Sequence, residues 1–84
     1  LPPLTEENRR DLARQASREA EVSRVSIRNI RRDAIADIRD LVKEKMAAED
    51  DARRGEERAQ GLTDQNVGDV DKLLAAKEAE LMEI

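Results

Sequence analysis

The sequence predicts an all-α fold made of two long helices. Residues 5–46 contain neither Gly nor Pro, the two residues that most often interrupt helices. Twelve of the 84 residues are Ala, the strongest helix former, and no aromatic residue is present. Leu, Ile, Val and Phe together number 18 of 84, so we expect only a thin core in which helices approach closely.

The first helix is expected over about residues 5–46. Leu1 to Leu4 carries two prolines and should form an extended lead-in. Thr5 can then cap the helix, with Glu6 and Glu7 in the first turn, where the helix dipole favours acids. A helix of this length, on the order of 60 Å, needs a partner along its side.

The second helix is expected over about residues 49–83, and the short connection makes the pair an antiparallel hairpin. Its start is indicated by the acidic run Glu49 to Asp51. A seam of apolar residues at helical spacing follows: Val67, Val70, Leu74, Leu81 and Ile84. Gly61 followed by Thr63 leaves open a restart of the helix at that point. We treat residues 1–84 as one unit, a partial helical-bundle domain.

The composition excludes most catalytic chemistry. The chain has no His and no Cys, so a Ser-His-Asp triad, a thiol nucleophile and a Cys/His zinc site are impossible. Carboxylates are plentiful, but no acidic calcium-loop pattern is present, and we expect no enzyme, no cofactor and no metal. Without a signal peptide or an apolar run of membrane-spanning length, we expect a cytoplasmic chain that does not enter a membrane. The first residue is Leu1 rather than Met, which suggests a fragment or a processed chain.

A helical wheel divides the first helix into an apolar, an acidic and a basic face. With Arg24 at zero and about 100° per residue, the apolar face lies at about 240–320° and the acidic face at about 140–220°. The densest part of the basic face runs from Val22 to Arg32 without an acid. Its arginine ridge, as we name it, consists of Arg24, Arg28, Arg31 and Arg32. Arg suits bidentate contact with phosphate, so the ridge favours nucleic-acid binding.

A purely structural interpretation stays open beside this one. Charge on an exposed helix is often only solvated, and surface ion pairs contribute little. Residues 1–45 carry a net charge of +2 and residues 46–84 a net charge of −6. The alternative is therefore a structural helical hairpin or coiled-coil module whose basic face keeps it soluble or binds an acidic protein.

Four strings make the sequence resemble the bacterial ribosome recycling factor. They are Leu1-Pro2-Pro3-Leu4-Thr5-Glu6-Glu7, Arg28-Asn29-Ile30-Arg31-Arg32-Asp33-Ala34, Leu62-Thr63-Asp64 and Lys77-Glu78-Ala79-Glu80-Leu81-Met82. Their order and separations match across all 84 residues. The resemblance covers the C-terminal part of that family, namely the second and third helices of its three-helix bundle. It implies that the first helix and the inserted β-rich domain are lacking.

The resemblance also implies a function and a set of contacts. Members of the family are not enzymes; with elongation factor G they help to separate the ribosomal subunits after termination. If the family's contacts are carried over residue by residue, Arg28 and Arg31 would be the main contacts to large-subunit ribosomal RNA, with Arg32 and Arg24 in support. Arg9 near the start of the helix is a further candidate, although the wheel places it at about 300°, on the apolar face. Ala48 stands where the family commonly has a Ser cap, which weakens the start of the second helix by about 1 kcal/mol.

Two helices alone leave apolar surface that a third helix would normally cover. We therefore expect this chain to self-associate, most simply as a symmetric dimer, or to be only marginally stable.

Overall fold

A computed structural model describes residues 5–83 of the chain. This range contains two helices, α1 (Glu6–Lys43) and α2 (Glu49–Glu83), and no strand. The helices run antiparallel and form a rod of 64 × 15 × 15 Å. The predicted all-α helical hairpin is confirmed. The extended lead-in expected at Leu1 to Leu4, like Ile84 of the seam, lies outside the described residues.

The start of α1 follows its sequence signals. Thr5 has an extended backbone, with φ −66° and ψ 158°, and precedes the first helical residue. Its Oγ1 accepts a hydrogen bond from the backbone N–H of Asn8 at 3.0 Å. One of the otherwise unsatisfied amides of the first turn is thereby paired, and Glu6 and Glu7 lie beside the positive end of the helix dipole.

The end of α1 is set by a residue in the left-handed conformation. Lys45 has φ 61°, where Gly is the usual residue. Its N–H donates to the carbonyl of Val42 at 3.0 Å, and the N–H of Met46 donates to the carbonyl of Leu41 at 2.8 Å. These two bonds form a Schellman motif, which satisfies carbonyls that the helix leaves free. The chain reverses here and reaches α2 within five residues.

α2 begins without a side-chain cap but continues without a break. The carbonyl of Ala48 accepts the N–H of Ala52 at 3.0 Å, and the Ala48 side chain has no acceptor to offer the first turn. Helix α2 continues through Gly61 and Gly68. A restart at Thr63 is therefore wrong. The hydroxyl of Thr63 instead donates to the carbonyl of Ala59 at 2.7 Å, within the same helix.

The core between the helices is as thin as the composition predicts. Among the described residues only Ala20, Ala52 and Leu81 are buried hydrophobic residues, and Thr63 is the one buried polar residue. The Ile38 side chain packs closely against Gly55, because a Cβ added to Gly55 would lie 3.2 Å from Ile38 Cδ1. Small residues thus allow a close approach that larger ones would prevent.

Polar contacts cross between the helices at three levels along the rod. Arg24 bonds to Asp71, Arg31 bonds to Gln60, and Arg39 bonds to Glu56 with 2.6 Å between Nε and Oε1. In each contact an α1 arginine reaches an oxygen on α2. These pairs add directional contacts to an interface that has little apolar area.

One side of the hairpin exposes large apolar side chains. We call this surface the apolar flank; it consists of Leu12, Ile30 and Leu41 on α1 and Leu62 and Leu73 on α2. Ile30 is 67% exposed and Leu73 is 71% exposed. The flank contains two shallow clefts between the helices, one beside Ile30 and Leu62 and one beside Leu73 and Leu74. It is the surface that a further helical element could cover.

Candidate RNA-binding surface

The four arginines of the ridge lie on consecutive turns of α1. From Arg24 to Arg32 the helix rises about 12 Å, so the ridge is compact. Its members differ in exposure, and the wheel explains the difference. Arg31 and Arg24 lie next to the apolar face, at about 340° and 0°, whereas Arg28 and Arg32 lie at about 40° and 80°, further from α2.

Arg28 and Arg32 form the exposed part of the ridge. Both side chains are exposed, and Arg28 makes no hydrogen bond or ion pair with any residue in the range 5–83. Arg32 donates through Nη2 to Oδ1 of Asn29 in the preceding turn. Because Asn29 is neutral, this bond orients the guanidinium without cancelling its charge. Two full positive charges therefore face solvent about 6 Å apart along the axis.

Arg24 is held between two carboxylates. Its Nε and Nη2 lie 2.8 and 2.7 Å from Oδ1 of Asp71, and its Nη1 lies 3.0 Å from Oε2 of Glu21. The side chain is 18% exposed. The hydrogen bond to Asp71 raises the pKa of Arg24 above its usual value, with a smaller contribution from Glu21 in the same direction. Arg24 thus stays charged, but an anionic ligand would have to compete with these acids.

Arg31 is held differently, by a neutral amide. Its Nη1 donates to Oε1 of Gln60 at 2.8 Å. The side chain is half-buried, and its Nε is buried without an acceptor among the described residues. Gln60 in turn donates through Nε2 to Oδ1 of Asp64 at 2.8 Å. Arg31 is therefore immobilised beside the exposed pair Arg28 and Arg32. No carboxylate within residues 5–83 bonds directly to its guanidinium, so its positive charge is not neutralised.

Arg9 is far from the ridge. It lies about 29 Å along α1 from Arg28, at the open end of the hairpin. There it lines an open cavity of about 480 Å³ together with Glu78, Leu81 and Met82 of α2. Its Nε is buried without an acceptor among residues 5–83. This placement agrees with the wheel, which puts Arg9 on the apolar face, and it separates Arg9 from the other four candidates.

Sequence reasoning missed the α2 residues that hold the ridge. Gln60, Asp64 and Asp71 lie 29 or more residues away from the arginines that depend on them. No local motif marks these contacts, because they depend on which turns of the two helices face each other. The apolar seam of α2 offered one signal, since side chains that flank a seam lie where they can reach the partner helix.

Other classes of site receive no support from the described part of the chain. No group of three or more acidic residues there is arranged to hold a metal ion. Neither α1 nor α2 is long and apolar enough to cross a membrane.

Comparisons of the whole chain with a family model and with curated proteins point to the same family. The family described as ribosome recycling factor matches residues 1–82. The ribosome-recycling factors of Nitrosospira multiformis and Alcanivorax borkumensis are each 58% identical over 84 residues, which is 100% of this chain and 45% of the relative. That of Acinetobacter baumannii is 57% identical over the same span, 46% of its length. The chain thus spans about half the length of the curated relatives that it matches.

Proposed function

The chain belongs to the ribosome recycling factor family, and from this membership we propose that its arginine ridge binds large-subunit ribosomal RNA. In the complete protein this contact would serve the separation of the ribosomal subunits after termination, together with elongation factor G. The protein would then act as a non-enzymatic translation factor in the cytoplasm. The observation that supports the proposal most directly is the exposed pair Arg28 and Arg32 beside the immobilised Arg31.

The chemistry of the ridge favours the RNA backbone over base recognition. Guanidinium groups match phosphate oxygens in a bidentate manner, and neutralising phosphates releases counterions. The chain has no aromatic side chain on which a base could stack. Double-stranded RNA is in any case recognised mainly through its shape, its phosphates and its 2′-hydroxyls. A straight helix with arginines on consecutive turns would follow such a backbone.

The members of the ridge would contribute unequally. Arg28 and Arg31 are the leading contacts, Arg28 because it has no competing partner among the described residues and Arg31 because it is fixed by a neutral residue. Arg32 would extend the contact by one turn. Arg24 would support it more weakly, since Asp71 and Glu21 already occupy its guanidinium. Arg9 would form a separate contact about 29 Å away.

The decisive experiment replaces Arg28 and Arg31 together by Ala in the complete protein and measures binding to purified large ribosomal subunits at several salt concentrations. We expect affinity to fall at least 10-fold. The slope of log affinity against log salt concentration should decrease by an amount that corresponds to about one to two phosphate contacts. Helicity should not change, because Ala is compatible with the helix. Unaltered binding would overturn the assignment.

The matched control replaces Arg53 and Arg54 by Ala, which removes the same charge from α2. Both control residues are exposed and paired with acids one turn earlier, Asp50 and Asp51. Binding of this variant should stay within about 3-fold of the unaltered protein, because the lost charges lie at the hairpin's closed end. If both variants lost the same affinity, the effect would be one of net charge alone, and the proposal of a specific binding surface would be rejected.

The apolar flank supports a second proposal, namely that the 84-residue chain by itself self-associates. Five large side chains are exposed on one side of the rod, whereas its core has only three buried hydrophobic residues among residues 5–83. Placing two such flanks face to face would bury surface that a single hairpin cannot cover. This is also the feature that the structural, protein-interaction alternative would use.

A further inference from the structure

Gln60 occupies an unusual place beside the arginine ridge. It lies on α2, is half-buried, and reaches across the hairpin to accept a hydrogen bond from Arg31 at 2.8 Å. Its amide nitrogen simultaneously donates to Asp64, also at 2.8 Å. The three residues Arg31, Gln60 and Asp64 therefore form a hydrogen-bonded chain, which we call the relay. The bond to Asp64 restricts the orientation of the Gln60 amide, and the Gln60 amide restricts the position of the Arg31 guanidinium.

The direction of the relay is fixed by the chemistry of its last member. An ionised Asp64 only accepts hydrogen bonds, so it requires the NH₂ side of the Gln60 amide. The carbonyl side of that amide must then face Arg31, which only donates. Asp64 thus sets which end of Gln60 meets the guanidinium, although it makes no direct contact with Arg31 itself.

The contrast with Arg24 shows what a neutral partner provides. Both arginines lie at the edge of the apolar face and are held by α2, but Arg24 is held by Asp71 whereas Arg31 is held by an uncharged amide. A carboxylate partner lowers the attraction between an arginine and an incoming phosphate, because the phosphate must displace a like charge. Gln60 restricts the movement of Arg31 without that competition.

We propose that Gln60 is a positioning residue for Arg31, holding the guanidinium in the ridge with its charge intact, and that Asp64 orients Gln60. This inference rests on the proposed function, since it assigns Gln60 a role in the same RNA contact. It extends that function from α1 to α2. The RNA-binding surface then depends on both helices of the hairpin.

The first test is a double-mutant cycle on binding of the complete protein to purified large ribosomal subunits. Gln60→Met keeps the length and helix preference of the side chain and removes its acceptor. We expect affinity to fall about 3- to 10-fold, as for loss of one hydrogen bond, with the salt dependence unchanged because no charge is lost. In an Arg31→Ala background the same change should have less than about 2-fold effect. Equal effects in both backgrounds would overturn the proposal.

The second test separates positioning from mere support of the fold. Gln60→Glu keeps an acceptor for Arg31 but supplies a carboxylate, as Asp71 does for Arg24. Because Gln60→Glu also removes the N–H donor to Asp64 and adds a second carboxylate beside it, the change is measured in an Arg31→Ala background as well. A purely structural role predicts the same loss of affinity in both backgrounds, whereas a role through Arg31 predicts a loss only when Arg31 is present. The positioning role predicts weaker binding, about 3- to 10-fold, and a smaller salt dependence, because Arg31 is then partly neutralised. Binding unchanged by Gln60→Glu would contradict the proposal.

The control changes are Gln65→Met and Gln65→Glu. Gln65 is exposed on the same helix and makes no hydrogen bond with the described residues, so the same chemical changes occur outside the relay. Both should leave affinity within about 2-fold. If Arg31→Ala alone leaves binding unaltered, Arg31 loses its place in the proposed function and this inference falls with it. If Arg31→Ala weakens binding but Gln60→Met does not, only this inference fails.

Discussion

Arg24 and Asp71 meet across the hairpin through two nitrogens and a single oxygen. Nε and Nη2 of the guanidinium lie 2.8 and 2.7 Å from the same Oδ1, and Glu21 takes the remaining Nη1. The pair connects residues 47 positions apart in the chain. It also occupies one of the four arginines of the ridge that we propose to bind phosphate.

The first prediction is that Asp71→Asn tightens binding to large ribosomal subunits. Removing the carboxylate releases Arg24 for phosphate, so we expect about a 2- to 5-fold gain in affinity and a larger salt dependence. The cost in unfolding free energy should be small, because Asp71 is more than half exposed and solvent screens the pair. Asp69→Asn makes the same charge change at an exposed position of α2 and serves as control. A gain no larger than that of the control would show that Arg24 does not contact RNA.

The Arg24 pair should be insensitive to pH over the physiological range. Its pKa is raised on folding, so its contribution to stability is fully present below the unfolded-state pKa and is lost only as pH rises through the still higher folded value. Both values lie far above neutrality. Between about pH 6 and 9, the difference in unfolding free energy between the unaltered protein and Arg24→Ala should therefore stay constant. A difference that changes within this interval would contradict this prediction.

Lys45→Gly should stabilise the hairpin. Lys45 has φ 61°, a conformation that costs an L-residue about 1–2 kcal/mol and costs Gly almost nothing. Part of the gain is offset by the greater freedom of Gly in the unfolded chain, so we expect about 0.5–1 kcal/mol more unfolding free energy by denaturant titration. The control Lys43→Gly, within the last turn of α1, should instead lower it by about 1 kcal/mol. Two changes of the same sign would contradict the Schellman assignment.

The three glycines of α2 should respond differently to Ala. A Cβ at Gly61 or Gly68 meets no atom within 4 Å, so each substitution should raise the unfolding free energy by about 1 kcal/mol. At Gly55 the new Cβ would lie 3.2 Å from Ile38 Cδ1, and the neighbour must move. Gly55→Ala should therefore gain less than the other two or destabilise the chain. A larger gain at Gly55 than at Gly61 would contradict the close packing of the Ile38 side chain against Gly55.

Self-association should depend on the apolar flank. Sedimentation of the 84-residue chain should show dimers that dissociate on dilution, with loss of helicity, since the single hairpin buries little apolar surface. Ile30→Gln should shift the equilibrium toward monomer at least 5-fold, because it removes an apolar side chain from the flank. Val22→Gln, at a position equally exposed but on another face, should not. A compact, fully helical monomer at low concentration would refute the proposal.

Most of the fold could be predicted from local signals. The absence of Gly and Pro in residues 5–46 predicts α1, and the wheel groups the ridge and places Arg9 on the apolar face. The turn is less visible, because Lys45 takes a position usually marked by Gly. The pairing of Arg24 with Asp71 and Arg31 with Gln60 could not be predicted. It depends on the relative register of two helices, which short-range periodicity does not define.

The three polar pairs between the helices also restrict sliding. Arg24 and Arg31 each meet one oxygen-bearing side chain of α2, and Arg39 meets two, at three heights along the rod. If one helix slipped by a single turn, about 5.4 Å, all of these partners would separate at once. A smooth alanine interface alone would permit such displacement at small cost. These contacts thus hold the position of α1 along α2, and a force along the long axis would meet them together.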